Sequence, residues 1–599
     1  MPSLWGYFNF KKFKNRTMNV AQQILKILEE IGVTQIWGVT GDALNSFTDA
    51  LQGEDSKIKW NAVRHEENGA FAAGAEAQIT GNLAVCAGTV GPGTLHLING
   101  LYNAKKERVP VLAISGQVAR VNMGTNYFQE VGLTKIFDDV CAYQAVIRSA
   151  EEAPRVVLRA IQIASEQNAV VRVEIPVDIA TLDAAGDHFI HPVIRSNAVL
   201  VPSDKDIENI ASVINKANKV TIFAGAGCAA CKEQVLQLSE KLKAPITHTL
   251  RSSDVFHTND KNVVGMTGLI GNPSGYHAVM YTDVLLMLGT DFPYINFLPD
   301  DCTIIQIDKR LENIGNRAKV THGVHGDCGA SLSKLIPKVN TKENSKFLDH
   351  LVEHFIKWKK IKADHSVVTN DQEPLHPQLF ISEIDKQASS DACFTVDVGE
   401  SAIWLAHHLS FYGNRKLQGS FNHGSMAVGF PAAMGIQSVN PGRQVWAIVG
   451  DGAFGMCMND FITAVRYNWP VIVLVYNNSQ LGFVKIEEEE SGYAITDKAL
   501  KLTNPNFAEY AKLCGGDGIR VEHAKNIPMA IEKAITSSKP FIIDAVTNPG
   551  ELSLPPHITL EEAWGFGKSK AKEILLAVKG EKEQKKNLMN ELKGLFGKH

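Results

Sequence analysis

The chain has 599 residues, of which 45% are hydrophobic and 21% are charged, and its formal net charge at pH 7 is −4. This length and composition indicate three or four globular domains, and they disfavour a nucleic-acid-binding protein because no basic domain or stripe is present. No apolar run reaches the roughly 18–20 residues of a membrane-spanning helix, and the nine scattered cysteines suggest buried, reduced thiols in the cytoplasm.

Residues 1–17 form an unusual extension before Met18, with five aromatic side chains and the cations Lys11, Lys12, Lys14 and Arg16. They lack the long apolar core and small-residue cleavage site of a signal peptide. A flexible extension, an interfacial patch and an artefact of an upstream start are all compatible with this segment.

Residues 18–185 are predicted to form a first α/β domain. An apolar helical face runs from Val20 to Ile31 and is followed by four short apolar strands, TQIWGVTG, LAVCAG, VPVLAIS and AVVRVEIPVD. Alternation of helices with such strands indicates a doubly wound parallel sheet with helices on both faces.

Two further α/β domains are predicted over residues 200–338 and 347–550, after a linker at 186–204. Their strands are VTIFAG, APITH, DVLLMLG and TIIQID in the first, and CFTVDVG, QVWAIVGDG, WPVIVLVYNN and PFIIDAVT in the second. We therefore expect an α/β protein with three doubly wound parallel sheets and a helical C-terminal tail at 557–599.

The third of these domains carries a pattern typical of a diphosphate and metal site. Gly450-Asp451-Gly452 ends one apolar strand, and Asn478 ends the next, 27 positions after Asp451. This spacing fits a strand–helix–strand unit, which places both side chains at neighbouring strand ends, where open α/β sheets bind ligands. Carboxylate and amide oxygens suit Mg²⁺, and glycines let a diphosphate approach the backbone. A second G-D-G at 516–518 lacks the asparagine pair and is predicted to be a turn.

The combination resembles the GDG…NN motif of the thiamine-diphosphate (ThDP) enzymes, and the resemblance extends from about Met18 to Pro556. RHEENGAFAAGAEA is similar to the N-terminal signature of that family, and GTVGPGTLHLINGLYNA to its glycine-rich loop and helix. GSFNHGSMA, MTGLIG, LGTDFPY and NNSQLGFVKIE resemble one branch, the quinone-linked pyruvate oxidases.

The resemblance implies the residues of the ThDP site. Glu66 would hydrogen-bond the N1′ nitrogen of the cofactor pyrimidine and assist proton removal within the cofactor; the alternative is a glutamate that satisfies a helix N-terminus. Asp451 and Asn478 would bind Mg²⁺ by side chain, and Gln480 by its backbone carbonyl. The remaining ThDP-lining residues would be Gly424, Ser425, Met426, Gly452, Ala453 and Phe483.

The resemblance also implies substrate and flavin contacts. The segment Tyr127-Phe128-Gln129 would meet the substrate, although Phe128 could equally be a core residue. Phe483 and Glu487 would lie near the reacting carbons, although Glu487 could be part of a solvated acidic face. Gly225 and Gly227 alone are weak evidence for a dinucleotide. By resemblance, FAD would contact Thr267, Gly268, Leu269, Ile270, Thr290, Asp291, Phe292, Pro293, Tyr294 and Asp308.

The implied reaction is oxidative decarboxylation of pyruvate to acetate and CO₂, with electrons passed to ubiquinone or another quinone at the inner face of the cell membrane. The family also implies a homotetramer whose ThDP sites are shared between paired chains. Two alternatives are an oxygen- and phosphate-dependent oxidase that makes acetyl phosphate and hydrogen peroxide, and an acetolactate-synthase-like carboligase. The segment LGFVKIEEE lacks the tryptophan that such synthases carry, and a non-catalytic relative is disfavoured because Glu66, Asp451 and Asn478 are all present.

The chain ends on NLMNELKGLFGKH, in which apolar residues occupy one helical face and lysines surround it. From this pattern alone, a helix that docks on the body of the protein is one interpretation. A surface that binds the membrane is the other, and it fits an enzyme that delivers electrons to a quinone.

Overall fold

The computed structural model describes residues 18–52, 56–185, 198–368, 375–495 and 497–551. The predicted N-terminal extension, most of the predicted linker and the predicted C-terminal tail lie outside these residues. The chain divides into two compact units, with the boundary between residues 196 and 197.

The first unit contains one sheet of six parallel strands in the described part of the chain. Its strands are β1 (Gln35–Gly38), β2 (Lys59–Ala62), β3 (Ala84–Gly88), β4 (Val111–Gln117), β5 (Tyr143–Val146) and β6 (Val170–Pro176). Its helices are α1 (Val20–Glu30), α2 (Asn45–Ala50), α3 (Glu66–Thr80), α4 (Pro92–His96), α5 (Ile98–Glu107), α6 (Leu133–Ile136), α7 (Ala153–Gln167) and α8 (Val177–Ala180). The strand order is β2-β1-β3-β4-β6-β5.

Sequence signals explain both kinds of element in this unit. The Asn19 side chain accepts a hydrogen bond from the backbone of Gln22, whose side chain accepts one from the backbone of Asn19, so a capping box starts α1. Strands β4 and β6 are buried at every position, as expected for central strands of a parallel sheet covered on both faces.

The second unit contains two sheets, the first of which lies within the predicted 200–338 segment. Its strands are β7 (Val220–Ala224), β8 (Ile246–His248), β9 (Val263–Met266), β10 (Val284–Leu288), β11 (Thr303–Asp308) and β12 (His322–His325). The helices of this region are α9 (Asp204–Lys216), α10 (Lys232–Leu242), α11 (Pro273–Met280) and α12 (Cys328–Leu335). The strand order is β12-β11-β10-β7-β8-β9, all parallel.

Helix α13 (Lys346–Asp364) follows this sheet and packs on its edge. Its apolar residues Leu351 and Phe355 form one small core with Val264 of β9 and Ala278 of α11. The helix therefore borders the side of the sheet that ends with β9.

The second sheet of this unit lies within the predicted 347–550 segment. Its strands are β13 (Cys393–Val396), β14 (Lys416–Gly419), β15 (Val445–Gly450), β16 (Ile472–Asn477), β17 (Asp517–Val521) and β18 (Phe541–Val546). Its helices are α14 (Gln378–Gln387), α15 (Glu400–His408), α16 (Gly429–Val439), α17 (Asp451–Cys457), α18 (Phe461–Arg466), α19 (Gly482–Glu490), α20 (Asp497–Leu500), α21 (Phe507–Leu513) and α22 (Ile527–Thr536). The order β14-β13-β15-β16-β18-β17 repeats that of the first unit.

The predicted fold class is confirmed, since each of the three predicted α/β segments contains one parallel sheet with flanking helices. The second G-D-G differs from its prediction as a turn, because Asp517 and Gly518 begin β17 and pair with β18. Among the described residues, no helix combines the length and the apolar character needed to cross a membrane.

Candidate active site

The predicted diphosphate motif lies where the strand order of the third sheet reverses. Strand β13 is followed in the chain by β14 on one side, and β15 lies on the other. The carboxyl ends of β13 and β15 therefore form the crevice in which open α/β sheets bind ligands. Glu400 follows the first of these strands and Asp451 the second. Both line one cavity of about 120 Å³, together with Asn478.

Asp451 is held by three hydrogen bonds at the start of α17. One carboxylate oxygen, Oδ2, accepts from the backbone N–H of Ser479 at 2.6 Å and from Asn504 Nδ2 at 2.7 Å. The other, Oδ1, accepts from the N–H of Gly452 at 2.8 Å. Burial nevertheless raises the pKa of Asp451 to about 6, because few charges compensate for the lost water. A cation placed beside this carboxylate would stabilise its ionised form.

Asn478 is oriented by two neighbours on opposite ends of its amide. Its Nδ2 donates to Glu400 Oε2 at 2.9 Å, and its Oδ1 accepts from the backbone N–H of Gln480 at 3.1 Å. Burial raises the pKa of Glu400 to about 8, although the nearby Lys485 opposes this shift. Glu400 was not predicted from the sequence. The available signal was the position of Glu400 directly after the predicted strand CFTVDVG. The strand order, which places this strand beside the strand that ends just before Asp451, was not predicted.

Other predicted residues line the same cavity or lie next to it. Met426 comes from the segment GSFNHGSMA and lines the cavity. Gly424 and Ser425 precede it, and the Ser425 hydroxyl donates to the carbonyl oxygen of Met426 at 2.9 Å. The remaining predicted residues that line the cavity are Gly452, Ala453, Gln480 and Phe483.

Glu66 occupies a separate buried position in the first unit. It is the first residue of α3 and is 6% exposed. Its Oε2 lies 2.9 Å from His96 Nδ1, and the His96 ring stacks on that of His65 with centroids 4.5 Å apart. A Cβ added at Gly93 would lie 3.0 Å from Glu66 Oε1, so the absence of a side chain at this position leaves room beside the second carboxylate oxygen. His96 was not singled out from the sequence, although it lies within the quoted glycine-rich segment.

The predicted substrate-contacting segment at Tyr127-Phe128-Gln129 lies on an exposed loop. Phe128 is 78% exposed and Tyr127 is 51% exposed, so Phe128 is not a core residue of this chain. Gln129 has a positive φ of 63°, and the Glu130 carboxylate closes the loop by accepting from the N–H groups of Gly124 and Tyr127. The loop therefore presents an ordered apolar surface.

The predicted flavin segments meet at the carboxyl edge of the second sheet. A Cβ added at Gly268 would lie 2.9 Å from Phe292 Cζ and 3.7 Å from Tyr294 Cδ2. Thr267 Oγ1 is buried and has no hydrogen-bond partner among the described residues. A buried hydroxyl without a partner is costly, so a ligand that hydrogen-bonds to Thr267 would stabilise this arrangement.

The other predicted flavin residues surround these segments. The Asp308 carboxylate, at the end of β11, accepts hydrogen bonds from the N–H of Arg310 at 2.8 Å and from Asn313 Nδ2 at 3.1 Å. Thr290 is buried, whereas Pro293 and Tyr294 are exposed. The backbone carbonyls of Ile270 and Asp291 accept from His407 and Arg317, respectively. Leu269 is partly buried beside Ile270.

Glu487 lies close to the flavin segment. It is exposed on α19. Burial of Tyr294 raises the pKa of that residue, and the negative charge of Glu487 raises it further. The acidic run 487–490 is not a uniformly solvated face, because Glu489 is fully buried near Lys485, with Nζ and Oε1 3.8 Å apart.

The strand order of the second sheet supports a dinucleotide site near these segments. The order reverses between β7 and β10, and the two carboxyl ends approach so closely that a Cβ at Gly225 would lie 2.3 Å from the Gly289 carbonyl oxygen. The third sheet places Asp451 at its own reversal, so both sheets hold their candidate ligand residues where this architecture binds ligands.

Comparison with known proteins gives a family assignment that covers both units. The thiamine pyrophosphate enzyme models match the N-terminal TPP binding domain over residues 18–136, the central domain over 207–335 and the C-terminal TPP binding domain over 397–545. YdaP of Bacillus subtilis, provisionally named a thiamine pyrophosphate-containing protein, is 35% identical over 96% of this chain and 99% of its own. The chain belongs to the thiamine pyrophosphate enzymes.

Two further relatives of this thiamine pyrophosphate enzyme carry different names. A pyruvate oxidase of Lactiplantibacillus plantarum is 29% identical over 91% of both chains. An acetolactate synthase of Mycobacterium bovis is 28% identical over 88% of this chain and 87% of its own.

The residues present fit the cofactor of the family. Asp451, Asn478 and Gln480 line one cavity, and a carboxylate, an amide oxygen and a backbone carbonyl from these residues would make a donor set suited to Mg²⁺ and a diphosphate. The described residues contain no cluster of three or more His, Cys, Asp or Glu side chains that could hold a metal.

Proposed function

We propose that this enzyme oxidatively decarboxylates pyruvate to acetate and CO₂ with ThDP, Mg²⁺ and FAD, and that it passes the electrons to ubiquinone or another membrane quinone. The observation that carries the proposal is the cavity that Asp451, Asn478 and Gln480 share at a strand-order reversal. The pyruvate oxidase and acetolactate synthase relatives support a 2-keto acid such as pyruvate as substrate.

The chain's own residues have defined tasks in this proposal. When bound, ThDP supplies a carbon nucleophile and an electron sink for loss of CO₂, and FAD accepts the electron pair. Asp451 and Asn478 hold the Mg²⁺ that neutralises the diphosphate. Glu66 holds or releases a proton at the pyrimidine. Because its carboxylate is buried, it interacts strongly with the pyrimidine nitrogen. His96 holds the other carboxylate oxygen of Glu66 in place.

A flavin acceptor is supported by the second sheet. Its strand order is the 3-2-1-4-5-6 order of dinucleotide-binding sheets, and the buried hydroxyl of Thr267 is without a partner among the described residues. Phe483 and Glu487 lie on α19, with Phe483 at the ThDP cavity and Glu487 near Tyr294. We assign these two residues, together with Phe128 and Gln129, to the reacting part of the substrate.

The quinone, the membrane and the oligomer belong to the same proposal. The segments GSFNHGSMA and NNSQLGFVKIE support the quinone-linked branch over the alternatives, and the amphipathic tail 557–599 supports peripheral binding to the inner face of the cell membrane from the cytoplasm. The exposed loop with Phe128 supports burial by another subunit, which fits a homotetramer. A particle mass equal to one chain by light scattering would contradict the tetramer.

The function is tested with purified protein, pyruvate, ThDP, Mg²⁺ and a quinone analogue, with and without liposomes. We expect acetate and CO₂ in equal amounts, quinone reduction, and stimulation by liposomes. Peroxide formed in step with pyruvate loss would favour the oxygen-dependent reaction, and acetolactate without quinone reduction would favour the carboligase.

The variant Glu66→Gln tests the catalytic assignment within the same assay. Turnover should fall by at least about 10²-fold, while flavin stays bound. The matched control is Glu67→Gln, because Glu67 is the next residue of α3 but accepts from Asn99 Nδ2 instead. Equal turnover of the wild type and Glu66→Gln would refute the role of Glu66.

A further inference from the structure

A second cavity lies within the second unit, and none of the residues assigned to the cofactors lines it. It has a volume of about 260 Å³ and is bordered by α13, by the end of α15 and by the region around β8 and β9. We call it the lysine–histidine cavity, because Lys359, Lys362, His248, His407 and His408 line it. This volume is just below the ~300 Å³ at which small-molecule pockets usually begin.

The two lysines give this cavity a positive charge that no ion pair among the described residues neutralises. Lys359 and Lys362 lie on one face of α13, and neither forms an ion pair with a described residue. Their Nζ atoms lie 4.8 Å from the Phe355 ring centroid and 5.8 Å from the Trp358 ring centroid, respectively. Burial lowers the pKa of both lysines, and the Glu551 carboxylate opposes this shift at Lys362 without forming an ion pair with it.

The acidic side chain in the wall does not cancel this charge. Asp385 Oδ1 accepts from Arg415 Nη1 at 2.5 Å and from the N–H of Ser410 at 3.0 Å. The buried Arg415 guanidinium therefore already neutralises that carboxylate. The lysines remain available to an external anion.

The histidines contribute polar but uncharged surface. Nε2 of His407 donates to the carbonyl oxygens of Ile270 and Gly271 at 3.1 and 3.2 Å. The Ser366 hydroxyl donates to the Lys362 carbonyl oxygen, so Nδ1 of His408 must donate to that hydroxyl. Burial lowers the pKa of His407 to about 4 and that of His408 to about 3, which keeps both rings neutral at pH 7.

Aromatic rings supply the rest of the wall. Trp358 packs edge-on against His407 with ring centroids 5.3 Å apart, and Phe256, Phe355 and Phe411 also line the space. Flat apolar surfaces of this kind favour a planar ligand, whose faces they contact. The two lysines and the aromatic rings together favour a ligand that is both negatively charged and planar.

We propose that the lysine–histidine cavity binds a small organic anion with a planar apolar body, such as an aromatic carboxylate. The carboxylate lies between the ammonium groups of Lys359 and Lys362, and the ring lies against Trp358. The ligand class follows from the chemistry of the wall, and the binding does not depend on the function proposed above.

Helix α15 connects this cavity to the assigned sites. The helix begins at Glu400, whose carboxylate accepts a hydrogen bond from Asn478 Nδ2, and it ends at His407 and His408. His407 in turn holds the backbone of Ile270 and Gly271, beside the flavin segment. We infer from this connection that a ligand in the lysine–histidine cavity changes ThDP and Mg²⁺ binding through α15. This coupling, unlike the binding itself, rests on the proposed function.

Binding is tested by titrating the full-length protein with 4-fluorobenzoate and following the ¹⁹F resonance. Inorganic phosphate, which lacks the ring, and fluorobenzene, which lacks the charge, should each bind at least about tenfold more weakly. The variant Lys359→Gln/Lys362→Gln should also weaken 4-fluorobenzoate binding at least about tenfold. Lys360→Gln is the matched control, because Lys360 is exposed on the same helix, and it should bind like the wild type.

Two results would overturn the site: no 4-fluorobenzoate binding to the wild type at millimolar concentration, or equal binding to the double variant. The coupling is measured separately, as the ThDP affinity by calorimetry with and without saturating 4-fluorobenzoate. By linkage, any change in ThDP affinity must appear equally in the 4-fluorobenzoate affinity. We expect at least a threefold change, and equal affinities would overturn the effector role even if the anion binds.

Discussion

The amide of Asn478 is positioned by a residue outside the GDG…NN motif. Glu400 accepts from Asn478 Nδ2, which fixes the amide so that Oδ1 is the atom left for the backbone of Gln480 and for a metal. Partners of metal ligands commonly affect metal affinity by about 10- to 100-fold. Glu400 is therefore a positioning residue in the proposed Mg²⁺ site.

The variant Glu400→Ala should weaken Mg²⁺ binding in the presence of ThDP by about tenfold, since the amide of Asn478 loses its fixed orientation. Glu400→Gln is the matched control, because its amide oxygen can still accept from Asn478 Nδ2. Calorimetric titration with Mg²⁺ measures both. Equal weakening of Mg²⁺ binding by the two variants would show that the affinity depends on the charge of Glu400 and not on its hydrogen bond to Asn478.

A second buried carboxyl makes the stability of the first unit depend on pH. Glu76 Oε2 accepts from Trp37 Nε1 and Gln35 Nε2, each at 2.7 Å. Burial nevertheless raises the pKa of Glu76 from 4.5 to about 7. Because the folded state holds this proton more tightly than the unfolded chain, its contribution to stability is present below pH 4.5 and is lost as the pH rises to 7.

We expect Glu76→Gln to remove this loss. Between pH 4.5 and 7 the free energy of unfolding of the variant should gain about 3 kcal/mol relative to the wild type, because the neutral amide keeps an acceptor for Trp37 and Gln35. Urea unfolding of both proteins at pH 4.5 and pH 7 measures this change in the free energy of unfolding. Glu30→Gln, at an exposed position of the same unit, should show no such change, and parallel pH profiles for Glu76→Gln and the wild type would contradict the assignment.

At the scale of elements, the close approach of β7 and β10 creates the crevice of the second sheet. Gly225 and Gly289 lie where the two strands end, and a methyl group at Gly225 would overlap the Gly289 carbonyl oxygen and the Thr290 side chain. Overpacking of this kind usually costs about 1–3 kcal/mol. The crevice thus depends on the absence of a side chain at this position.

The variant Gly225→Ala should lower the free energy of unfolding by about 1–3 kcal/mol and should reduce the flavin content of the purified protein. Gly442→Ala is the matched control, because a Cβ at Gly442 meets no atom within 4 Å. Chemical unfolding and the visible flavin spectrum measure the two effects. Full stability and full flavin content in Gly225→Ala would contradict the close packing.

The sequence predicted the inner strands of all three sheets and missed every edge strand. The inner strands, such as β4 and β15, are buried on both faces and therefore form the short apolar runs by which they were recognised. Edge strands such as β2 and β17 alternate between exposed and buried residues, so no apolar run marks them.

The candidate site was predictable where it depends on local spacing, as for Asp451 and Asn478. It was not predictable where it depends on which strands are neighbours. Glu400 joins this site only because β13 and β15 pair in the folded sheet. In the first unit, His96 reaches Glu66 from a segment 30 residues away. Such contacts arise from tertiary packing, and the boundaries predicted for the three domains remain predictions.

At the scale of the whole molecule, two sheets with the same strand order carry the residues assigned to ThDP, and a sheet of different order carries those assigned to FAD. In the proposed function, this division lets one chain supply a proton-transferring carboxylate, a metal site and a dinucleotide crevice from three separate sheets. The family assignment covers all three. The proposed function requires that pyruvate reduces the flavin of the central domain.

The most direct test is to add pyruvate to the protein under anaerobic conditions, with ThDP and Mg²⁺ present, and to record the visible flavin absorbance. We predict that the flavin is bleached in step with CO₂ release, that omission of ThDP prevents bleaching, and that a soluble quinone restores the oxidised spectrum. CO₂ release while the flavin stays oxidised would contradict the central claim.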